Sequence, residues 1–446
     1  MKSFTSKFFL AFAILILTLG DSAIKAQTFS GYQKIDTLLN LLSTNNKFMG
    51  TVAILKNNET VYSSACGLAD IEKNIPNTTN TRFRVGSISK MFTSVMTFQL
   101  IEEKKLQLDT KLSAFYPAIV NADIITIKDL LVHQSGLWSV TDDSLYLSWN
   151  TQPKTHEELL AMIMAQPAVF APGEKSSYSN TNYLLLGYIL ETITGKDFAT
   201  NLQERICKKA GLESTYYGVP TNTANNESYS YSIENAKWVK DNETDMSIPN
   251  GAGGVVSTAE DLTTFVNALF NGQLISEGSL SEMIKSEGKY AKGIFRMPFY
   301  ELQGYGHTGG IDGFRSVLIY YPEEKLGLAI CSNGLNYNQN DMIIAVLSIA
   351  LGKEYKLPEF KNLQITAEQL KKYEGVYSSD DFPIKLTIKL EGQSLTAQGT
   401  GQSPFPLEAE SETEFSFHAG GIKIAFINDN QLNIKQGAMD LIMTKE

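Results

Sequence analysis

At 446 residues the chain is long enough to bury a large core and to carry a second, smaller domain. Its 48 acidic and 38 basic residues give a formal charge of −10, and such an acidic balance argues against nucleic acid and anionic membranes, which call for basic patches. Three cysteines, Cys66, Cys207 and Cys331, do not make a disulfide framework. Buried free thiols are the favoured state.

The first element is a leader. Lys2 and Lys7 precede the apolar run Phe8 to Leu19, which is short for a membrane span, and Ala26-Gln27 offers a cleavage point. Residues 1–26 therefore read as a signal peptide, with an uncleaved anchor as the other reading, and no cysteine stands at the cleavage point to take a lipid. The expected location is a bacterial periplasm or beyond. The leader carries Lys2, Lys7 and Lys25 against Asp21, a net +2, so the remainder is near −12.

Ser87-Ile88-Ser89-Lys90 follows the turn-like Val85-Gly86 and opens a segment in which Met91, Val95 and Phe98 recur at helical spacing. Residues three apart on a helix share a face, about 5–6 Å apart at Cβ, so the lysine can reach the serine hydroxyl. A lysine whose pKa is lowered by burial can take the serine's proton, and the unpaired N–H groups of a first turn favour an oxyanion. The plain alternative is a helix cap at Ser87 with Lys90 on the surface. The same spacing occurs at Ser22/Lys25, in the leader, and at Ser286/Lys289, in a Glu/Lys/Gly-rich stretch that reads as solvated surface.

Farther along, residues 138–153 and 221–244 are rich in Ser, Asn, Tyr and Trp and read as loops over a cleft. Tyr229, Tyr231 and Trp238 are either pocket aromatics or exposed strand-edge residues. Between these loops, Tyr178-Ser179-Asn180 lies after the turn Phe170 to Glu174 and before an apolar helix ending near Gly195. A loop tyrosine held this way can point its phenol into a cleft; the alternative is an ordinary turn with an Asn near a helix cap. His307-Thr308-Gly309-Gly310 precedes two β-rich runs around Pro322 that read as a hairpin. Its glycines suit a backbone edge approached closely by a substrate, or form a plain Gly-rich turn.

After a helix over residues 338–352 comes a linker, residues 353–365, containing Pro358. Residues 366–446 then show alternating runs separated by Gly and Asn-Asp turns, the pattern of a small antiparallel barrel of about eight strands. Its role is either a stabilising cap or a device that shapes the cleft. No Gly-x-Ser-x-Gly elbow, His-Glu-x-x-His helix, phosphate loop or dinucleotide fingerprint occurs, and His133, His156, His307 and His418 lack metal-ligand spacing. No metal and no cofactor are expected. His133 reads as a residue that holds a loop by hydrogen bonds.

The three blocks, in this order, resemble the serine β-lactamase and penicillin-binding-protein superfamily, in particular its class C-like branch. Residues 48–70, 125–137 and 253–262 extend the likeness over roughly residues 30–350, and the C-terminal strands resemble the lipocalin-like modules appended to this branch. The resemblance implies an α+β fold, with an antiparallel sheet flanked by helices plus a helical region, over residues 27–352, followed by the barrel. It also places Cys66 and Cys331 near each other. By matching motifs, Ser87 is the expected nucleophile, Lys90 and Tyr178 its proton partners, and the backbone N–H groups of Ser87 and Gly310 the oxyanion hole. Asn180, His307, Thr308 and Gly309 are the expected substrate contacts. Where many β-lactamases carry a lysine this chain has His307, only partly charged near neutral pH. That departure fits a D,D-carboxypeptidase-like or D-amino-acid peptidase-like hydrolase of a small-molecule or cell-wall peptide substrate better than an efficient β-lactamase. An esterase or weak β-lactamase is the nearest alternative, and a penicillin-binding sensor without turnover the alternative of another class.

Overall fold

The computed structural model describes residues 31–234, 237–360, 363 and 365–446. The leader and its cleavage point lie outside the described residues. Residues 48–335 supply the strands of a large sheet whose central order is Phe295–Arg296, Tyr305–Ile311, Phe314–Tyr321, Leu326–Leu335, Phe48–Lys56 and Glu59–Cys66. The hairpin around Pro322 forms as the pattern predicts, with Arg315 to Tyr321 paired antiparallel to Leu326 to Ser332. His307 does not merely precede it. The block lies on a strand of its own, paired antiparallel with the hairpin's first strand, so that His307 faces Leu318 and Gly310 faces Arg315 in register.

Alternation along the strands sends neighbouring side chains to opposite faces, and each face finds its own helices. Ala53, Leu318, Tyr320, Ala329 and Cys331 join one core, with the buried faces of the helices Ser89–Glu102, Asn180–Thr194 and Ala259–Phe270. Val52, Ile54, Val317, Ile319, Leu328 and Ile330 join the other, against Tyr32–Thr44 and Gln339–Ala350. Ser89–Glu102 is buried from Ser89 through Leu100, so it runs through the core and not along its surface. The spacing of Met91, Val95 and Phe98 located the helix but showed only one of its covered sides. The helix Asn180–Thr194 stops at Gly195, whose φ of 66° suits a left-handed C-terminal cap.

All three cysteines are free. Cys66 and Cys331 lie in the same sheet with the strand Phe48–Lys56 between them, Gly50 paired with Cys66 and Thr51 with Cys331. Two strand spacings are about 9–10 Å, beyond the reach of a disulfide.

The C-terminal strands, Gly375–Ser379 through Met439–Lys445, close into an eight-stranded barrel, with Tyr377 paired to Lys445 where the last strand meets the first. Its interior is filled by side chains that include Tyr377, Leu395, Phe415, Phe426 and Met443. The barrel rests on the hydrolase sheet through Lys47, which is almost fully buried and pairs with Glu408. Asn336 donates to the same carboxylate at 3.2 Å, and His418 stacks on Tyr337 with ring centroids 6.0 Å apart.

Burial pushes the thiols of Cys66, Cys207 and Cys331 each up to about 12, so little thiolate forms at mildly alkaline pH. Intact mass spectrometry after alkylation is expected to show three labels per chain in denaturant. Labelling of the native protein near pH 8 should be slow, and the mass should not change with reductant.

Candidate active site

Ser87 sits in the tight turn Gly86–Ile88 that leads into the helix Ser89–Glu102. It makes no capping hydrogen bond; Ile88 occupies the cap position. This turn fits because two glycines let it press against the strand Tyr305–Ile311. A Cβ on Gly309 would stand 1.9 Å from the Val85 carbonyl oxygen, and one on Gly86, whose φ is +51°, would meet the Gly310 backbone at 2.7–2.8 Å. The glycines thereby bring the backbone of Gly310 beside the turn that carries Ser87.

Lys90 is completely buried, contrary to the surface reading. Its Nζ lies 2.9 Å from Ser87 Oγ and donates to Asn180 Oδ1 at 2.8 Å and to the Ala252 carbonyl at 2.7 Å. Desolvation holds the ammonium well below the ordinary lysine range. Asn180 is fixed from both ends: its backbone N–H donates to Ser139 Oγ at 3.1 Å and its Nδ2 to Thr141 Oγ1 at 2.8 Å. Its side-chain oxygen is thereby directed at Lys90.

Tyr178 lies on the loop before the helix Asn180–Thr194. Its ring stands 4.9 Å from Lys90 Nζ and stacks on His133 with centroids 4.4 Å apart. Burial raises the phenol far above its ordinary value, and a hydrogen bond with the Ser87 side chain offsets only part of that rise. His133 does hold the loop, since its Nδ1 accepts from the Ser179 N–H at 3.1 Å. Burial, Lys90 and His307 together keep its imidazole neutral, well below the usual range.

His307 is also buried and stacks on Phe295 at 4.0 Å between centroids. Desolvation, aided by Lys90, pushes its pKa down to about 3. The expectation of partial charge near neutrality is therefore corrected: away from water the ring is neutral. Its Nδ1 faces the Thr308 carbonyl, so that nitrogen carries the proton, and its Nε2 is buried with no hydrogen-bond partner among the described residues.

Two cavities meet at Ser87 and Gly310. One, of about 260 Å³, is lined by residues that include Val140, Tyr146, Leu147, Asn180, Ile248 and Asp312. The other, of about 850 Å³, is lined by Tyr178, Lys289, Tyr290, Phe295, Arg296 and His307 among others, with Thr308 on its wall. No barrel residue lines either cavity. The loop over residues 138–153 does line the cleft, but Tyr229, Tyr231 and Trp238 do not. Tyr231 is buried and its hydroxyl accepts from the Ile71 N–H, Tyr229 lies beneath Lys240, and Trp238 packs on Gly334.

Sequence reasoning missed the Ala252 carbonyl, whose only signal was the Gly-rich stretch beside it, and the aromatics Tyr146, Tyr290 and Phe295. It also read Ser286 and Lys289 as plain solvated surface. Both are exposed, yet they line the larger cavity.

A mixed sheet and helix core, with a half-buried serine beside a buried lysine at the start of its central helix, defines a β-lactamase/transpeptidase-like serine hydrolase. Residues 40–350 match the profile described as Beta-lactamase, and the chain belongs to that family. PbpX of Bacillus subtilis (strain 168), named for penicillin binding, is 31% identical over 67% of this chain and 72% of its own. The teichoic acid D-alanine hydrolase of Staphylococcus aureus is 27% identical over 69% of this chain and 75% of its own. The octameric penicillin-binding protein homologue from Pyrococcus abyssi shares the fold across 92% of this chain and 99% of its own, at 24% identity and a TM-score of 0.64.

Gly309→Ala forces a methyl into the Val85 carbonyl. It is expected to cost about 1–3 kcal/mol of stability, measured by urea unfolding. The Gly310 backbone should move away from Ser87, so activity should fall more steeply than the folded fraction at 25 °C.

Proposed function

We propose that this chain is an exported serine hydrolase that removes a D-aminoacyl group from an amide or ester through an acyl-enzyme on Ser87. The single observation that carries the chemistry is the fully buried Lys90 amine, which has two fixed hydrogen-bond acceptors and a third side that faces Ser87 Oγ. A neutral amine has two N–H bonds and one lone pair. With the bonds spent on Asn180 and Ala252, the lone pair is left for the Ser87 proton.

The steps follow from these positions. Lys90 takes the Ser87 proton as Oγ attacks the carbonyl carbon, and the oxyanion that forms lies between the backbone N–H groups of Ser87 and Gly310, about 2.7–3.1 Å from each. Tyr178, protonated because its phenol is desolvated, gives its proton to the leaving group as the carbon–leaving-group bond breaks. The resulting phenolate is balanced by the Lys90 ammonium beside it. In deacylation the phenolate takes a proton from water, the hydroxide attacks the ester, and Ser87 departs with the proton held by Lys90. Every group returns to its starting state.

Substrate class rests on two supports. The similar Staphylococcus aureus protein is named for releasing D-alanine. The neutral His307 lacks the charge that a lysine would offer the carboxylate of a β-lactam, which disfavours efficient β-lactam turnover. The apolar leader and Ala26-Gln27 support export.

Ser87→Ala is expected to abolish turnover of a D-alanyl p-nitrophenyl ester, and Tyr178→Phe to lower kcat about 10²–10⁴-fold. Nitrocefin turnover should stay below about 1 s⁻¹. One stable adduct per chain with no product release from the ester would instead favour a sensor, and activity that survives Ser87→Ala would sink the mechanism.

The pH profile should carry a matching signature. Because Lys90 acts as the free base, kcat/KM rises with pH through an apparent pKa below the ordinary lysine range. His307 is already neutral above about 3, so no histidine inflection in KM is expected for a carboxylate-bearing substrate between about pH 5 and 8.

A further inference from the structure

We propose that Asn250 is a positioning residue for Lys90: its side chain, caught between Gly187 and Glu191 on the helix Asn180–Thr194 and the Gly251 N–H, sets the turn whose Ala252 carbonyl receives a Lys90 N–H. This rests on the acyl-enzyme reading above, in which that hydrogen bond helps aim the amine's lone pair at Ser87. Asn250 lines neither cavity, so any effect it has on the reaction passes through other groups.

The turn over residues 249–254 is held almost entirely by its own backbone. The Pro249 carbonyl accepts from the Ala252 N–H at 2.8 Å and from the Gly253 N–H at 3.1 Å, and the Asn250 carbonyl accepts from the Gly254 N–H at 2.8 Å. Thr93, on the central helix, fixes the Gly251 carbonyl at 2.7 Å. The amide left over is the Gly251 N–H, and the Asn250 side-chain oxygen accepts it at 2.6 Å. Asn250 thus closes the first peptide unit of the turn, two residues before the carbonyl that meets Lys90 Nζ at 2.7 Å.

Strain and shape both single out this residue. Asn250 is buried and has a φ of +31°, a region that residues other than glycine seldom enter and asparagine tolerates better than most. Such strain persists only where the surroundings over-determine it. The opposing helix provides those surroundings. Gly187 lies in its interior, where a glycine weakens a helix, yet a Cβ there would stand 2.1 Å from Asn250 Oδ1 and 3.1 Å from the Gly251 nitrogen. One turn farther along, the Glu191 carboxylate meets the Asn250 side chain. Glu191 is itself anchored, accepting from the Phe198 N–H at 2.8 Å and lying 3.6 Å from His156 Nδ1.

A single helix therefore sets both acceptors of the Lys90 amine. Asn180, its first residue, does so directly; Gly187 and Glu191 do so through Asn250 and the turn. Because the helix is one rigid body, the distance between the two acceptors is fixed as long as Asn250 keeps its place.

The test is steady-state kinetics on a D-alanyl p-nitrophenyl ester across pH, with rates referred to the folded fraction measured by circular dichroism. Asn250→Gly tolerates the positive φ and removes only the side chain. It is expected to lower kcat about 10- to 100-fold with KM within about twofold of wild type, since the amine is misaimed while the cavity walls are untouched. The rising limb of kcat/KM should also move to lower pH, because the ammonium loses an acceptor that favours it. Gly187→Ala drives a methyl against the same amide and should show both changes. Asn250→Asp keeps the acceptor for Gly251 but sets a second carboxylate against Glu191, so it should lose activity. Adding Glu191→Gln, whose amide can donate, should bring kcat back to within about threefold of wild type.

A residue that only stabilises the fold would lower the folded fraction and leave the limb and the kcat of the folded enzyme in place. That result in Asn250→Gly or Gly187→Ala overturns the proposal, as does a paired variant no better than Asn250→Asp alone. In each case wild-type turnover still depends on Ser87 and the acyl-enzyme reading stands, whereas turnover that survives Ser87→Ala takes both down. If Asn250→Gly does not fold, Gly187→Ala and the paired variant decide the matter.

Discussion

Burial of the Lys90 amine is the constraint on which the rest of the site depends. A charged ammonium taken from water without a partner is disfavoured by several kcal/mol, so a lysine in such a place relaxes toward the neutral form. The chain surrounds it with three oxygens, from Ser87, Asn180 and Ala252, brought from three separate elements. Each of those elements is held by contacts of its own. Asn180 is tied to Ser139 and Thr141, and the segment of Ala252 is tied to the central helix, whose Thr93 hydroxyl donates to the Gly251 carbonyl at 2.7 Å. Precise placement of one amine thus recruits the loop over residues 138–153, the start of one helix and a short glycine-rich turn.

The same desolvation governs the neighbours. Tyr178, His133 and His307 crowd around Lys90, and each is pushed toward its uncharged form. A dry aromatic wall of this kind strengthens the few electrostatic interactions that remain. It also sorts the cleft into regions, with neutral groups around Lys90, exposed cations on the wall of the larger cavity and the buried Arg84–Asp312 pair beside the smaller.

The barrel has a different relation to the site. It docks on the opposite core, through Lys47, Asn336 and Tyr337, and contributes no lining residue to either cavity. Its own interior is filled with large side chains, which leaves it a packed body and not a container. Its contacts fall where the strand Phe48–Lys56 begins and the strand Leu326–Leu335 ends, around Lys47 and Leu335 to Tyr337.

Local signals determined much of this protein. Period-two alternation located the Pro322 hairpin and the barrel strands, Gly195 and Gly352 marked helix ends, and the order of Ser87-x-x-Lys90, Tyr178-x-Asn180 and His307-Thr-Gly-Gly identified the family, because each depends on residues close in sequence. Tertiary structure alone decided the protonation states and the walls of the cleft. Whether Lys90 is a surface cation or a buried amine depends on packing against Asn180 and Ala252, 90 and 162 positions away, and spacing is blind to that. Lys289 shows the converse: a residue rightly read as exposed acquires its meaning only because the fold sets its loop beside Tyr178 and His307. Sequence specifies which groups a short segment offers; the fold decides how much water each retains, and with it charge and reactivity.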